Sequence, residues 1–228
     1  MELCPSFTFY APGSEFLEPY IKRAMARVET DLAVMVASTD IYEPDPDGIL
    51  DEEAPLRKES PWITLENDFL AAHPHGIVLR CAPIVGTGMT GHMAQLAKEI
   101  YRSMFFHFPG NEARKSVVHA SDIAKVVALL AVCDRSALKQ HVFNLTDDED
   151  PMIHDIAEAL AYRMDNKRIS NISTKPQQIF ARWFYGKRYT YYTTTERFNG
   201  NAIRAALDFT PTPVCYYLRN HVYDESSL

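Results

Sequence analysis

An α/β fold built on a mainly parallel sheet flanked by helices is what three features of the sequence predict. Leu32-Ala33-Val34-Met35-Val36-Ala37 and Ile77-Val78-Leu79 are short continuous apolar runs, too short for helices and suited to strands covered on both faces. Helical apolar spacing fills the intervals between such runs. A glycine-rich stretch, Gly86 to Gly91, then leaves the second run and leads into another helical pattern.

In order along the chain, residues 6–11 are a strand candidate that stops at Pro12-Gly13, with Ser14 placed to cap a helix over Glu15 to Val28. The run over 32–37 is the second strand, and it delivers Ser38, Thr39 and Asp40 to a strand's carboxyl end, where open α/β sheets keep their ligands. Tyr42 to Pro61, rich in Pro, Asp and Glu, reads as a surface loop, and Trp62 to Ala72 as the helix leading into a strand over 77–81. His92 to Met104 reads as a helix, Ser116 to His119 as an extended segment, and Ile123 to Val132 as a buried helix capped by Ser121 or Asp122. A last strand is expected over 142–145. Asp150 before Pro151 is a typical helix start, which makes the acids Asp147 to Asp150 capping residues in preference to a cation site. Ala202 to Leu207 reads as a short helix and Cys215 to Leu228 as an extended, docked tail.

Composition narrows the function. The chain has 228 residues, 46% hydrophobic and 23% charged, with a formal net charge of −7, which argues against nucleic acid or an acidic membrane as main partner. Cys4, Cys81, Cys133 and Cys215 are scattered without a C-x-x-C pair, so neither a disulfide framework nor a zinc site is expected and a reducing cytoplasm fits. No run approaches the ~20 apolar residues of a membrane span. His73-Pro74-His75 lacks acidic or Cys companions nearby, and no metal is expected there. Aromatic and basic residues alternate from Ile179 to Tyr192, a pattern that can stack a base but that a small carboxyl-terminal lobe also needs to build its core; core packing is the favoured reading.

Gly86, Gly88 and Gly91 spell G-x-G-x-x-G. A dinucleotide fingerprint needs a strand running straight into the first glycine, and Pro83 interrupts it; the acid at nearly the right distance, Glu112, lies in a turn-like polar segment. The stretch therefore reads as a loop after a later strand.

Ala33 to Tyr42, Asp51-Glu52-Glu53-Ala54-Pro55-Leu56, Ile77 to Arg80, Ile84 to Gly88, Val117 to Ala124 and Phe143-Asn144-Leu145, in that order, resemble the landmarks of the extended short-chain dehydrogenase/reductases, the NAD(P)-dependent nucleotide-sugar epimerase and dehydratase group. The likeness covers most of residues 7 to 165. It implies a partial Rossmann-like domain over 1–150, from the family's fourth strand onward, and a small substrate-type lobe over 151–228. The family's glycine-rich pyrophosphate unit precedes that point, so the chain is expected to be a fragment of a longer product, or to have its sheet completed by a second component or a homodimer.

The resemblance also implies roles. Ser38 falls on the catalytic Ser position, but Lys58 stands in the Tyr slot and Trp62 in the Lys slot of the Tyr-x-x-x-Lys dyad, with Glu66 matching the acid that follows. A tryptophan neither moves a proton at neutral pH nor carries a charge, so the ordinary mechanism is expected to fail. Ala11, Cys81 and Ala82 are implied cofactor contacts, and Thr39, Pro83, Arg114 and Lys115 substrate contacts, the last two gripping a diphosphate. Two functions are thus expected: a relative of the NAD(P)-dependent epimerases that is inactive as an isolated chain, or a non-catalytic member that binds a ligand or partner.

Overall fold

The computed structural model describes residues 7–10, 23, 30–86, 89–108, 110–147, 149–164, 167–172 and 175–220. Its main sheet has four strands, β1 (Phe7–Tyr10), β2 (Leu32–Ser38), β3 (Ile77–Cys81) and β7 (Val142–Leu145), in the order β1-β2-β3-β7. Every pairing in it is parallel, with Val34 opposite Ile77, Ser38 opposite Cys81, and Cys81 opposite Leu145. The register brings the carboxyl ends of β2, β3 and β7 to one level. The expected helix over Glu15 to Val28 and the expected contact Ala11 lie outside the described residues.

Period-two alternation sorts the apolar runs onto two faces. Ala33, Met35, Ala37 and Val78 pack with Leu65 and Phe69 of helix α1 (Pro61–Ala72). Leu32, Val34, Val36, Ile77 and Leu79 face the other way, against Ile123, Val126 and Leu130 of α3 (Ala120–Val132) and Ile203 and Leu207 of α7 (Asn201–Leu207). Being covered on both sides is why β2 and β3 are continuous apolar runs and not alternating ones. Gly76, at the turn from α1 into β3, has no room for a side chain: a Cβ there would stand 2.8 Å from the Phe69 ring.

A second core forms around α2 (Gly91–Tyr101), the helix after the glycine loop. Met93, Leu96, Ala97 and Ile100 pack with Ile153, Ile156, Ala157 and Leu160 of α4 (Ile153–Arg163), with Ala181 and Tyr185 of α5 (Lys175–Tyr185), and with Tyr192 of α6 (Lys187–Thr193). The two-residue strands β4 (Ile84–Val85) and β6 (Val118–His119) pair in parallel outside the main sheet, as do β5 (Phe106–His107) and β8 (Ser170–Asn171).

Three expectations are corrected. The segment after Cys215 is helical, not extended, through α8 (Val214–Asn220), and residues 221–228 lie outside the described set. Buried acids hold its approach: Asp122 accepts from Thr212 N at 2.6 Å and Asp147 from Val214 N at 3.3 Å. Asp122 is therefore an anchor, and the cap of α3 is His119, whose Nδ1 accepts from Ser121 N at 3.1 Å. Asp150 does not cap α4 either; it sits at φ +41° and accepts from Ser116 Oγ at 2.5 Å, while Asp155 Oδ2 accepts from Met152 N at 3.1 Å. The backbone turn after Asp150 delays the helix to Ile153, which moves the capping role to the next acid.

Candidate functional site

A buried polar network near the carboxyl end of the sheet begins at Arg80 in β3. Arg80 Nη2 lies 2.7 Å from Glu66 Oε2 and its Nη1 donates to Tyr42 Oη at 2.9 Å. Tyr42 Oη donates onward to Asn144 Oδ1 at 2.6 Å, and Asn144 N donates to Glu52 Oε1 at 2.8 Å. Burial raises the Tyr42 hydroxyl's pKa and outweighs the lowering effect of Arg80, so the group stays a phenol that can donate. For Arg80, burial opposes the charge, but Glu66 and Tyr42 more than offset it. The network ties the acidic loop after Tyr42 to strands β3 and β7 and to α1. Sequence reading placed Glu66 and Tyr42 as landmarks but not as partners.

At the carboxyl ends of β2 and β3 lies a cavity of about 370 Å³. Ser38, Asp40, Trp62, Cys81, Ala82, Pro83, His92 and Tyr191 are among the residues around it. Ser38 ends β2 and caps the 3-10 turn Thr39–Ile41, its Oγ accepting from Asp40 N at 3.1 Å, so the hydroxyl hydrogen remains to donate. Burial pushes the Cys81 thiol up to about 12, which keeps it a neutral wall group. Ala82 N is used by the Leu145 carbonyl at 3.0 Å, and the Pro83 carbonyl accepts from Val118 N at 3.1 Å. Trp62 is half-buried in the first turn of α1 and lines the cavity; Lys58 is exposed and does not. Thr39 is buried beside a separate small cavity of about 20 Å³, which Asp40 and Pro83 also line.

Arg114 and Lys115 diverge, as adjacent residues in extended backbone do. Lys115 is wholly buried, with its Nζ 2.9 Å from Glu196 Oε2 and 4.0 Å from the centre of the Tyr191 ring. Burial lowers its pKa and Glu196 partly offsets this. Arg114 is half-buried and its Nη1 donates to the Asp150 carbonyl at 3.0 Å.

The aromatic run divides its labour. Tyr185 and Tyr192 are core residues whose hydroxyls donate to the Met104 carbonyl at 2.9 Å and to Glu99 Oε2 at 2.8 Å. Phe180 and Trp183 are exposed. Tyr191 lines the cavity: its ring stacks on His92 at 4.1 Å between centroids, and its hydroxyl oxygen is closed off from solvent with no hydrogen-bond partner among the described residues. Burial holds its pKa well above the ordinary value, and the carboxylates of Glu196 and Asp40 push the same way. The aromatic pattern marked this stretch, but nothing in it singled out Tyr191.

The glycine loop follows β4 and not a central strand. Gly86, at φ +135°, brings the backbone against His119, whose Nε2 a Cβ would meet at 3.2 Å. Gly91, at φ +64°, opens α2, and Gly88 lies outside the described residues. Among the described residues no group of three His, Cys, Asp or Glu side chains could hold a metal ion, and no helix is long and apolar enough to cross a membrane.

No protein-family model and no curated protein matches the chain. Solved structures do. MoeE5 in complex with UDP-glucose and NAD matches with a TM-score of 0.65 at 16% identity, over 93% of this chain and 76% of that one. The UDP-N-acetylglucosamine 4-epimerase from Bacillus cereus matches with a TM-score of 0.63 at 11% identity, over 95% and 80%. The human epimerase family protein SDR39U1 with NADPH matches with a TM-score of 0.62 at 13% identity, over 87% and 68%. The chain spans 66% of the length of a putative epimerase from Burkholderia cenocepacia J2315 and 80% of that of the Bacillus cereus enzyme. At these identities the likeness concerns the fold, and the chain has the Rossmann-type α/β fold of the NAD-dependent nucleotide-sugar epimerases.

Proposed function

We propose that the chain binds a nucleotide sugar or a related hydroxylated ligand in the cavity at the ends of β2 and β3, and that it does so without the proton-transfer chemistry of the epimerases. The observation that carries this reading is that Ser38, Trp62 and the Cys81–Pro83 segment line one cavity with Tyr191. In this reading residues 1–150 are the Rossmann-like part and residues 151–228 the substrate-type lobe, with α7 of the latter returning to pack on the main sheet.

Epimerase chemistry asks for a tyrosine whose pKa a neighbouring cation lowers, within reach of the substrate hydroxyl. Lys58 is exposed away from the cavity and Trp62 is a neutral indole, so neither slot supplies its group. Tyr191 does not replace them: its pKa is raised, not lowered, and the Lys115 ammonium stands over its ring while paired with Glu196. Trp62 also leaves the nicotinamide ribose without its cation, so these residues do not fit a firmly held NAD or NADP. Pro83 is assigned to the substrate side of the cavity and Arg114, which lines neither cavity, as the cation for a diphosphate, since Lys115 is spent on Glu196; Thr39 stands at the separate small cavity.

Calorimetric titration of the chain with UDP-glucose, NAD and NADP tests the reading. Binding of the nucleotide sugar, with cofactor binding weak or absent and no turnover, is the expected result.

A further inference from the structure

Helix α5 carries apolar residues on two sides, and the lobe covers only one of them. Ala181 and Tyr185 are buried in the second core, whereas Ile179, Phe180 and Trp183 are 71%, 54% and 79% exposed. Positions 179 and 183 are one helical turn apart and 180 lies beside them, so the three form a single outward stripe. It is already assembled: the Phe180 ring stands 6.0 Å from that of Trp183 and 6.0 Å from that of Phe184, which in turn packs on the core. Core packing therefore accounts for Tyr185 and Tyr192 in the aromatic and basic run but not for these three. Single exposed apolar residues are ordinary; a contiguous aromatic stripe left in water marks a surface that something covers.

The local charge points to what covers it. Although the chain as a whole carries −7, residues 166–195 hold Lys167, Arg168, Lys175, Arg182, Lys187 and Arg188 and not one Asp or Glu. Arg182 falls on the flank of the stripe at helical spacing, and Lys187 opens α6 just past Gly186. Both are exposed, and neither has an ion-pair partner among the described residues.

We propose that this stripe docks the carboxyl-terminal lobe onto an anionic lipid surface, with Ile179, Phe180 and Trp183 entering the boundary between headgroups and acyl chains and Arg182 and Lys187 meeting the lipid phosphates. An interfacial helix needs this division, aromatic and aliphatic side chains on one stripe and Lys or Arg beside it. A nucleic-acid strand would suit the cations, but it takes up aromatic faces by stacking and has no use for Ile179. Aromatic anchors of a protein interface fill complementary pockets, whereas side chains projecting from the outside of one helix match a fluid surface that asks for no fixed shape. The acidic remainder of the chain is repelled by the same surface, which leaves this lobe as the side that approaches. The inference uses no part of the nucleotide-sugar reading.

The test is cosedimentation of the full chain with phosphatidylcholine vesicles and with vesicles of equal parts phosphatidylcholine and phosphatidylserine, together with its tryptophan emission on each. The wild-type chain is expected to bind the anionic vesicles about tenfold more tightly than the neutral ones, less so as salt is raised. Its emission is expected to move to shorter wavelength on binding, a shift lost in Trp183→Ser, where Trp62 is the tryptophan that remains. Trp183→Ser is expected to weaken anionic-vesicle binding by about tenfold, through the lost apolar insertion. The double variant Arg182→Gln, Lys187→Gln, which removes no apolar area, is expected to weaken it by about tenfold as well, at unchanged Tm. No sedimentation of the wild-type chain with anionic vesicles at low salt, equal binding to the two kinds of vesicle, or binding unchanged by both variants would each overturn the inference. Concentration-dependent dimerisation, or binding of a single-stranded oligonucleotide, that Trp183→Ser abolishes while vesicles are ignored would overturn it too, and would assign the stripe to a second copy or to nucleic acid.

Discussion

Arg80 Nη2 and Glu66 Oε2 stand 2.7 Å apart with each side chain only 6% exposed, and this pair joins the end of β3 to α1. Breaking it leaves a charge in a place water does not reach. Arg80→Met is expected to destabilise the fold by about 3–5 kcal/mol, and Arg80→Met combined with Glu66→Leu by less than the sum of the two singles. Denaturant titration of the three variants measures this. Additive losses would mean that the two groups do not act as a pair.

Arg114 and Lys115 are adjacent in sequence but have different work to do. Arg114→Ala is expected to weaken UDP binding several-fold with little change in stability, since a charge-assisted contact to phosphate is lost and only one carbonyl in the protein loses a donor. Lys115→Met is expected to do the reverse, lowering stability by about 1–3 kcal/mol through the stranded Glu196 carboxylate. Calorimetry with UDP and thermal unfolding of both variants separate the two effects.

Acidification is expected to destabilise the protein before its carboxylates protonate. Burial lowers the pKa of His73, and burial together with His154 lowers that of His107, below the ordinary 6.5. The unfolded chain therefore binds these protons at a higher pH than the folded one, so stability falls as pH drops through 6.5 toward the lower native values and levels off beneath them. His73→Gln is expected to flatten the Tm profile across that window. A wild-type profile already flat from neutrality down past the ordinary histidine range would rule this contribution out.

Much of the fold could be read from the residues themselves. Leu32 to Ala37, Ile77 to Cys81 and Val142 to Leu145 declare buried strands because both faces are covered, which demands unbroken apolar runs between turn residues. Trp62 and Ser38 were placed in the site by ordered landmarks, and the cavity brings them together. What could not be read depends on partners distant in the chain. Asp122 has the look of a helix cap but anchors Thr212, and Asp150, turned to φ +41° with its carboxylate bonded by Ser116, yields the capping role at α4 to Asp155. Both acids were legible as acids; the groups that claim them come from other elements. Tyr191 was hidden for a related reason: among several aromatics at helical spacing, only the packing of α2 against α6 decides which one lines the cavity.

The central claim is that the cavity binds a nucleotide sugar without oxidoreductase chemistry, and turnover measured together with cofactor affinity tests it most directly. Titrating the purified chain with NAD and NADP, and then assaying it with UDP-glucose in the presence of each, is expected to give weak or undetectable cofactor binding and no product, with Ser38→Ala indistinguishable from the parent. Micromolar cofactor affinity and a turnover abolished by Ser38→Ala would contradict it.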